Sequence, residues 1–549
     1  MKFLKVLLNS LISGLFFSGL LALLILDLNC KIDFSFILLG QFTLFNSVTY
    51  GILITFACIS VFFISQFFSV GSYKIKLISP SFLMISFSLV LAFFLVILRQ
   101  NMKNFASFFS PEIGNLLETQ FLVLLFLVFL GAIFLYAYLY YKKKKMILAA
   151  YFLCFGAIIG YSVYLRTTFP APVISEKVAR LEAKSIDKKV TIIGMQGLSF
   201  DFIIPLINQD KLPNFAWLME EGSWGRLESF SPNDLIVLNT SVNTGKLPAK
   251  HNEFSPATHR LLYIPQKIEV IPRFIFFTLL RRIGLLESFP RSPKYFIKDI
   301  WKIFEENGIS YLKQDPLYCG NVSAPSENVQ AAFNRFMKDY RFENLEIGAC
   351  LQQALLCDMD RDERFMQEKV EMGPQLCYLL LVGLNLVESY FYKYNFPDMF
   401  GAIEQEEITG YGSVIDNYYK FYDQIIGKHL ASMKEDELIL VYSPHGIEPL
   451  PVWKRLLHWI FGDAAVSAHH EGAPEGVFYF YGKNIAHGKQ VEGMRLIDIT
   501  PTLLNYLELP VGKDMDGIVN SSMFDEDFKI GNPVLYISSY EEVEINRPQ

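Results

Sequence analysis

Charged residues are nearly absent from the first third of this chain of 549 residues. Residues 34 to 73 contain none, and the neighbouring apolar runs contain at most one each. A fully solvated fold is excluded for this part, because each run is long enough to cross about 30 Å of hydrocarbon. We therefore predict a membrane domain over residues 1 to 166, with about five transmembrane helices at 4 to 26, 46 to 69, 77 to 98, 119 to 141 and 146 to 165.

The lysines of this part cluster at alternate ends of the apolar runs. Because cytoplasmic loops carry an excess of Lys and Arg, we expect these clusters in the cytoplasm. With an odd number of spans, everything after residue 166 then lies on the extracytoplasmic, periplasmic side of the inner membrane. No small-residue cleavage pattern closes the first run, so we expect an uncleaved anchor. The clustered residues are Lys2 and Lys5, Lys74 and Lys76, and Lys142 to Lys145.

The remainder of the chain is acidic. Residues 1 to 170 hold 12 Lys or Arg and 4 Asp or Glu, which leaves 37 against 51 and a net charge of −14 for the rest. An acidic exported domain is a poor match for nucleic acid, so we expect no nucleic-acid partner.

The cysteines show no metal-binding pattern. The sequence has no Cys-x-x-Cys motif and no Cys/His cluster with the spacing of metal ligands. In an oxidising compartment the exported cysteines could pair as disulfides, and buried free thiols are an equal alternative. The four are Cys319, Cys350, Cys357 and Cys377.

Short apolar runs alternate with helical patterns after a charged linker at 167 to 186. The runs VTIIGM, CYLLLVG, ELILVY and GVFYFYG are rich in Val, Ile, Leu and aromatics. Fully apolar strands separated by helices predict an α/β domain with a mostly parallel sheet covered by helices on both faces. We place this exported domain at 187 to 527 and a C-terminal tail at 528 to 549.

Four stretches around these runs resemble the metal-site segments of one family. They are similar to the type I phosphodiesterase and nucleotide pyrophosphatase family of the alkaline phosphatase superfamily, and DITPTLLNYLELPVGKDMDGIV (498 to 519) extends the likeness. The resemblance implies an alkaline-phosphatase-like fold over 187 to 527. The four are VTIIGMQG (190 to 197), LLLVGLNLVESYFYKY (379 to 394), LILVYSPHG (438 to 446) and HHEGAPEGVFYFYG (469 to 482).

The family's two-zinc site is largely missing from the matching positions. By the resemblance, Gln196 and Asn385 stand where the family has aspartates, Ser389 replaces a histidine, and Pro444 replaces a third aspartate. Two zinc ions bring four positive charges, and without the three carboxylates nothing offsets them. Two ligands of six remain, so we expect no metal or cofactor. The retained ligands are His445 and His470.

The nucleophile is also absent from its matching position. RLESFSPNDLIVLNTSVNTGKLPAKHNEF (226 to 254) resembles the family's nucleophile segment, and an ungapped match puts Leu235 at the nucleophile. A small shift would put Ser231 there, as a serine with no activating metal or base. The ordinary interpretation of the hydroxyls in this segment, Ser231, Thr240, Ser241 and Thr244, is turn and helix-cap chemistry.

Two interpretations of the remaining histidines stay open. His445 and His470 could be relics that hydrogen-bond with Asn385 or Gln196 in a neutral network. Alternatively, a one-metal site for zinc or manganese could have been rebuilt, which requires three or four convergent ligands. The candidates close in sequence to the old ligands are Asp234, Glu388, His469 and Glu471.

Two segments of the exported part combine apolar residues with aromatics and cations. IPRFIFFTLLRRIGLL (271 to 286) and LPVWKRLLHWIFG (450 to 462) have the composition of segments that lie at a membrane surface. Amphipathic helices packed on the domain are the alternative. In the membrane part, 99 to 120 has a similar pattern and is either a surface-lying segment or a plain loop.

The favoured function is a membrane-anchored pseudoenzyme that serves as a binding or assembly subunit in the cell envelope. Its expected partners are the lipid bilayer and a protein or cell-surface polymer. The alternative is an active metal-dependent phosphodiesterase, phosphatase or lipid-linked phospho-group transferase with a reorganised site. Transport is disfavoured, because the spans contain almost no charged residues to line a path.

Overall fold

The structure is a computed structural model that divides into two compact units. Unit 1 comprises Met1–Val173, Phe254–Ser292 and Pro548–Gln549, and unit 2 comprises Ile174–Glu253 and Pro293–Arg547. The described residues are 2–67, 80–141, 144–168, 188–255, 257–275, 277–290, 297–316, 318–320, 322, 324–401, 403–461 and 463–541.

Helices occur in both units. In chain order they are α1 (Lys2–Leu28), α2 (Phe36–Asn46), α3 (Ile52–Phe67), α4 (Pro80–Asn104), α5 (Pro111–Tyr140), α6 (Lys144–Thr167), α7 (Phe200–Ile207), α8 (Pro213–Glu221), α9 (Leu235–Thr244), α10 (Pro248–His251), α11 (Phe277–Arg282), α12 (Ile300–Glu306), α13 (Glu327–Met337), α14 (Leu345–Met372), α15 (Gly383–Asn395), α16 (Gln405–Tyr411), α17 (Val414–Ser432), α18 (Val452–Phe461), α19 (Ile499–Tyr506) and α20 (Glu526–Gly531).

The strands are shorter and lie mostly in unit 2. They are β1 (Lys189–Met195), β2 (Ser223–Glu228), β3 (Ala257–Leu261), β4 (Lys267–Ile268), β5 (Leu286–Pro290), β6 (Tyr311–Gln314), β7 (Leu376–Leu381), β8 (Glu437–His445), β9 (Glu448–Pro449), β10 (Ala468–His469), β11 (Glu475–Gly482), β12 (Lys489–Gln490), β13 (Met494–Arg495), β14 (Val511–Gly512) and β15 (Tyr536–Ile537).

Unit 1 is built on α1 to α6. Within the described residues, five stretches are long and apolar enough to cross a membrane: Val6–Leu28, Phe36–Ser60, Leu83–Asn104, Pro111–Tyr140 and Lys144–Thr167. The second begins earlier than the predicted 46 to 69, because a π-helical turn at Ser47–Gly51 joins α2 to α3 without a break. Much of 99 to 120 belongs to the ends of α4 and α5. Several residues behind the orientation and linker predictions, including Lys74, Lys76 and 169 to 187, lie outside the described residues.

The segment Phe254–Ser292 belongs to unit 1, although it lies far along the chain from the membrane helices. The Asn29 side-chain oxygen accepts hydrogen bonds from the backbone N–H groups of Glu269 and Val270, at 2.9 Å each. The Asn101 side-chain oxygen accepts from the Arg273 N–H at 2.8 Å. Within the described residues of IPRFIFFTLLRRIGLL (271 to 286), the short α11 is helical and Arg273 is held by Asn101 of α4. Glu269 and Val270, just before this segment, are held by Asn29, which follows α1.

Unit 2 is organised around an eight-stranded mixed sheet. Its order is β12-β2-β11-β8-β1-β7-β6, with β13 also paired to β2. The four strands from β8 to β6 are mutually parallel, whereas β11 runs antiparallel to both β8 and β2. The predicted mostly parallel sheet is corrected here to a mixed one. The apolar composition of a strand such as β11 indicates that both its faces are buried. It does not indicate whether the strand runs parallel or antiparallel to its neighbours.

Both faces of the sheet are covered. Alternate residues of β1 point to opposite sides, so that Ile193 and Met195 pack in one core and Val190 and Ile192 in the other. The first core is completed by side chains of α7, α8, α14, α15 and α17, and the second by those of α9, α12 and α19. The predicted double coverage of the sheet is confirmed.

Candidate functional site

The positions singled out from the sequence gather near one edge of the sheet. Because β1, β7 and β8 are parallel, their carboxyl ends lie together. Gln196 follows β1 directly and its N–H donates to the carbonyl of Leu381, at the end of β7, at 3.0 Å. Asn385 lies in the first turn of α15 after β7, and His445 ends β8. The three positions therefore lie directly after β1, just after β7 and at the end of β8.

His445 and His470 come together as stacked rings. Their centroids are 4.8 Å apart at an interplanar angle of 23°. His445 is buried, and its Nδ1 lies 3.0 Å from the Gly446 carbonyl oxygen. A carbonyl only accepts, so Nδ1 carries the proton and Nε2 carries the lone pair in the neutral ring. His445 is therefore bonded to backbone rather than to the amides of Asn385 or Gln196.

The amide and carboxyl groups near Gly197 form a buried polar group. Glu388 is fully buried, and one of its oxygens accepts a hydrogen bond from the Tyr419 hydroxyl at 3.2 Å. Its other oxygen and the Asn385 side-chain oxygen have no hydrogen-bond partner. Burial raises the pKa of Glu388 well above its ordinary value, since only the Tyr419 hydrogen bond opposes it. Asn385, where the resemblance implies an aspartate, is a neutral amide, and burial favours the neutral form of the Glu388 carboxyl.

The remaining matched positions contribute no ligand group. The Ser389 hydroxyl donates to the Asn385 carbonyl at 2.8 Å, one turn back in α15. Pro444 lies within β8, and Leu235 is the first residue of α9 and packs in the second core. Asn233 links the nucleophile segment to the site, donating to the His470 carbonyl at 2.8 Å.

Two of the four candidate replacement ligands, Asp234 and Glu471, make contacts elsewhere. Asp234 caps α9 by accepting from the Ile236 N–H at 3.0 Å, and Glu471 pairs with Lys454 at 2.5 Å. His469 lies 3.4 Å from a Glu448 oxygen. Across the part of the chain that the structure describes, the group of three potential ligands within 4.8 Å of one another is Cys319, Cys357 and Asp358, which includes none of these residues. Three ligand atoms do not converge beside His445 in the described residues.

The hydroxyls of the nucleophile segment have structural roles. Thr240 and Thr244 each donate to the carbonyl one turn back in α9, at 2.8 Å. The Ser241 hydroxyl lies 2.8 Å from His251 Nε2, a pairing that the sequence analysis missed. His251 Nδ1 accepts the Glu253 N–H at 3.1 Å, so the proton is on Nε2 and is donated to Ser241. In this tautomer His251 cannot act as a base toward Ser241.

The 498 to 519 signature supports the end of α9. The Gly245 carbonyl accepts from the N–H groups of Asp516 and Gly517, both at 3.0 Å. The Asp516 carboxylate accepts from the Leu247 N–H at 2.9 Å. A Cβ at Gly517 would collide with the Ile497 carbonyl oxygen, so this close approach requires glycine. The signature thus performs a scaffolding role in this chain.

Helix α18 presents a second candidate surface. Its outward face is apolar and includes two tryptophans that are more than half exposed, Trp453 at 58% and Trp459 at 72%. Its polar residues are turned toward the domain: Lys454 pairs with Glu471, and Arg455 donates to the Met399 carbonyl at 3.0 Å. Soluble helices ordinarily point the apolar stripe inward, so this reversed orientation makes the face a candidate interaction surface. The face consists of Val452, Trp453, Leu456, Trp459 and Ile460.

We expect acidification to destabilise unit 2 through His445. Burial, helped by the charge of His470, lowers the pKa of His445 to about 3. Between about pH 6.5 and 3 the unfolded chain therefore binds a proton that the folded chain refuses. The unfolding free energy should fall with decreasing pH in this window, by up to about 1.4 kcal/mol per pH unit for this one group.

The matched measurement compares unfolding free energies of the wild type and His445→Gln across this window. Glu388 acts in the opposite direction, because its raised pKa makes the folded chain bind a proton first. Only the difference between the two proteins isolates His445. Parallel pH profiles for the two proteins would contradict the prediction.

Comparisons with known proteins give weak structural likenesses. No family model and no curated protein matches the chain. A phosphonate monoester hydrolase from Silicibacter pomeroyi matches with 13% identity and a TM-score of 0.37, over 61% of this chain and 76% of that one. Human ectonucleotide pyrophosphatase/phosphodiesterase 5 matches with 12% identity and a TM-score of 0.36, over 60% and 97%. The murine counterpart, an inactive variant in complex with AMP, matches with 11% identity and a TM-score of 0.34, over 59% and 96%.

Proposed function

We propose that this protein is a membrane-anchored, catalytically degenerate phosphodiesterase-like protein that serves as a binding or assembly subunit in the cell envelope. In this proposal unit 2 lies on the extracytoplasmic side and has no metal-dependent turnover. The observation that carries the binding role is the exposed apolar face of α18.

Loss of catalysis is supported by the chemistry of the sheet edge. A hydrolytic zinc centre needs three or four protein ligands, with carboxylates to balance its charge. The positions beside His445 supply an amide, a serine bonded to its own helix, and a proline. Glu388, three residues after Asn385 in α15, is fully buried with a raised pKa, and burial opposes the charged form that a cation would need.

The occupant that fits the α18 face best is the lipid headgroup region. Tryptophan beside aliphatic side chains is typical of segments at a membrane interface. The same chain contains five described stretches that are long and apolar enough to cross a membrane. Unit 2 is therefore tethered to a bilayer if these stretches enter one. The second candidate is an apolar patch on a protein partner, which would also bury Trp453 and Trp459.

The proposal predicts that lipids quench the fluorescence of Trp453 and Trp459. The full chain would be reconstituted in nanodiscs containing brominated phospholipid. We expect strong quenching in the wild type and its loss in Trp453→Phe/Trp459→Phe. The matched control, Trp301→Phe, removes a tryptophan that is buried among the side chains of unit 2 and should leave the quenching unchanged.

Three outcomes decide among the alternatives. Absence of quenching together with a stoichiometric copurifying protein, lost in the double variant and kept in the control, would favour the protein partner. Absence of both would contradict the binding role. Stoichiometric zinc or manganese, with turnover of a chromogenic phosphodiester that His445→Ala abolishes, would establish the active hydrolase instead.

A further inference from the structure

Two cysteines of unit 2 lie side by side. The sulfur atoms of Cys319 and Cys357 and a carboxylate oxygen of Asp358 are all within 4.8 Å of one another. Cys357 is buried in the middle of α14, whereas Cys319 is partly exposed in the segment after β6. Both are free thiols in the structure. The two residues are 38 positions apart in the sequence, so the fold and not the local chain brings the sulfurs together.

A metal ion is a poor explanation for this group. Asp358 is fully buried and accepts hydrogen bonds from the N–H of Gly383 at 3.0 Å and from two hydroxyls, those of Tyr418 at 2.8 Å and Tyr422 at 2.7 Å. Its lone pairs are committed to the protein. Two sulfurs alone fall short of the ligands that a structural zinc site needs.

We propose that Cys319 and Cys357 are joined in a disulfide bond by exchange with a protein disulfide of the exported compartment. The sulfurs lie within 4.8 Å of each other and need only approach to the bond length of about 2.05 Å. The inference rests on the proposed extracytoplasmic position of unit 2, where a disulfide oxidant is present, and not on the binding role of α18.

The two thiols differ in pKa and in accessibility, and these differences set the order in which they react. A hydrogen bond from the Cys319 thiol lowers the pKa of Cys357, against the effect of its burial, and the Gly320 N–H assists. The same hydrogen bond and burial raise the pKa of Cys319. Cys357 is thus the better thiolate, while Cys319 is the accessible sulfur.

The exchange balances in two steps. The Cys319 thiol passes its proton to the Cys357 thiolate, and the Cys319 thiolate then attacks one sulfur of the incoming disulfide. That S–S bond breaks, and the first partner thiolate leaves and takes up the proton from Cys357. The Cys357 thiolate attacks the Cys319 sulfur of the mixed disulfide and displaces the second partner thiolate, which takes up a proton. Two thiols of this chain are oxidised, and one disulfide is reduced to two thiols.

The bond would brace the helix that carries the candidate site. Cys357 precedes Asp358, whose carboxylate accepts from the N–H groups of Val382 and Gly383, where α15 begins. A disulfide to Cys319 would link the segment after β6 to α14, next to Asp358. It would thereby restrain the part of α14 that holds the start of α15.

The experiment is disulfide mapping of the full chain after incubation with oxidised glutathione. We expect a linked peptide pair containing Cys319 and Cys357, lighter than the two free peptides by two hydrogen atoms. Cys350 and Cys377 are buried and lie outside this group, so they should remain alkylatable after denaturation. Full alkylation of all four cysteines, or linkage of Cys319 to Cys350 or Cys377, would overturn the proposal.

Two variants test the order of attack. Cys357→Ser should leave a persistent glutathione adduct on Cys319, because the resolving thiolate is gone. Cys350→Ser, the matched control, should give the same linked pair as the wild type. If Cys357→Ser does not fold, Cys319→Ser serves instead, and Cys357 should then take up glutathione slowly or not at all. Rapid modification of Cys357 in that variant would contradict the assigned entry through Cys319.

Discussion

Replacing Asp358 by alanine is expected to lower the unfolding free energy by about 3–5 kcal/mol. The carboxylate is fully buried between α14, α15 and α17, and accepts from two backbone N–H groups and two tyrosine hydroxyls. Removing it leaves all four donors without their acceptor in a site that water does not reach. The N-terminus of α15 also loses the anion that its dipole favours.

The matched control for Asp358 is Asp360→Asn on the same helix. Asp360 is partly exposed and pairs with Arg364, itself well exposed, at 3.0 Å in an i, i+4 arrangement. Such a pair contributes about 0.3–0.5 kcal/mol, so the control should unfold almost as the wild type does. The measurement is denaturant unfolding of the detergent-solubilised chain, followed by tyrosine near-ultraviolet circular dichroism. Equal losses in the two variants would contradict the assigned role of Asp358.

Replacing Gly476 by alanine is expected to cost about 3 kcal/mol or more, and to disturb the sheet next to His445. Gly476 is the second residue of β11, which runs antiparallel to β8. A Cβ there would collide with the Ser443 carbonyl oxygen and stand 2.7 Å from the Pro444 carbonyl carbon. These are backbone atoms of a central strand, so relief requires β11 and β8 to separate rather than a side chain to rotate.

Gly410→Ala is the control for the glycine variant. Gly410 lies in α16, and a Cβ there meets nothing within 4 Å. Since alanine favours helix over glycine, the control should gain about 0.5–1 kcal/mol. The readout is the same unfolding experiment, together with hydrogen exchange of the β8 and β11 amides. Unchanged protection of these amides in Gly476→Ala would count against the collision.

The pattern of apolar residues predicted which segments form the sheet but not the direction of every strand. The runs that become β1, β7, β8 and β11 were recognisable because strands buried on both faces are apolar throughout. Their placement around one edge followed from the parallel arrangement of β1, β7 and β8. The reversal of β11 was not predictable, since burial has no direction along the chain.

For the candidate site, the sequence indicated the positions of the residues but not their contacts. The substituted positions Gln196 and Asn385 and the retained His445 could be read from the sequence, but their partners could not. His445 bonds to the adjacent Gly446 carbonyl and stacks on His470, geometry that depends on ring orientation. The amphipathic character of α18 was likewise visible, but the pattern left open whether its apolar face lies at a membrane surface or packs on the domain. Amphipathic periodicity identifies a face without identifying what covers it.

The path of the chain through the two units has a consequence for synthesis at the ribosome. β1 is translated early, whereas its neighbours in the sheet, β7 and β8, are translated only after the segment Phe254–Ser292, which belongs to unit 1. Val190 of β1 pairs with Leu376 of β7, nearly two hundred residues later in the chain. The apolar strand β1 therefore stays unpaired until those residues have been translated. High contact order of this kind slows folding and exposes aggregation-prone intermediates. Folding of unit 2 should therefore depend on chaperones that bind the nascent chain.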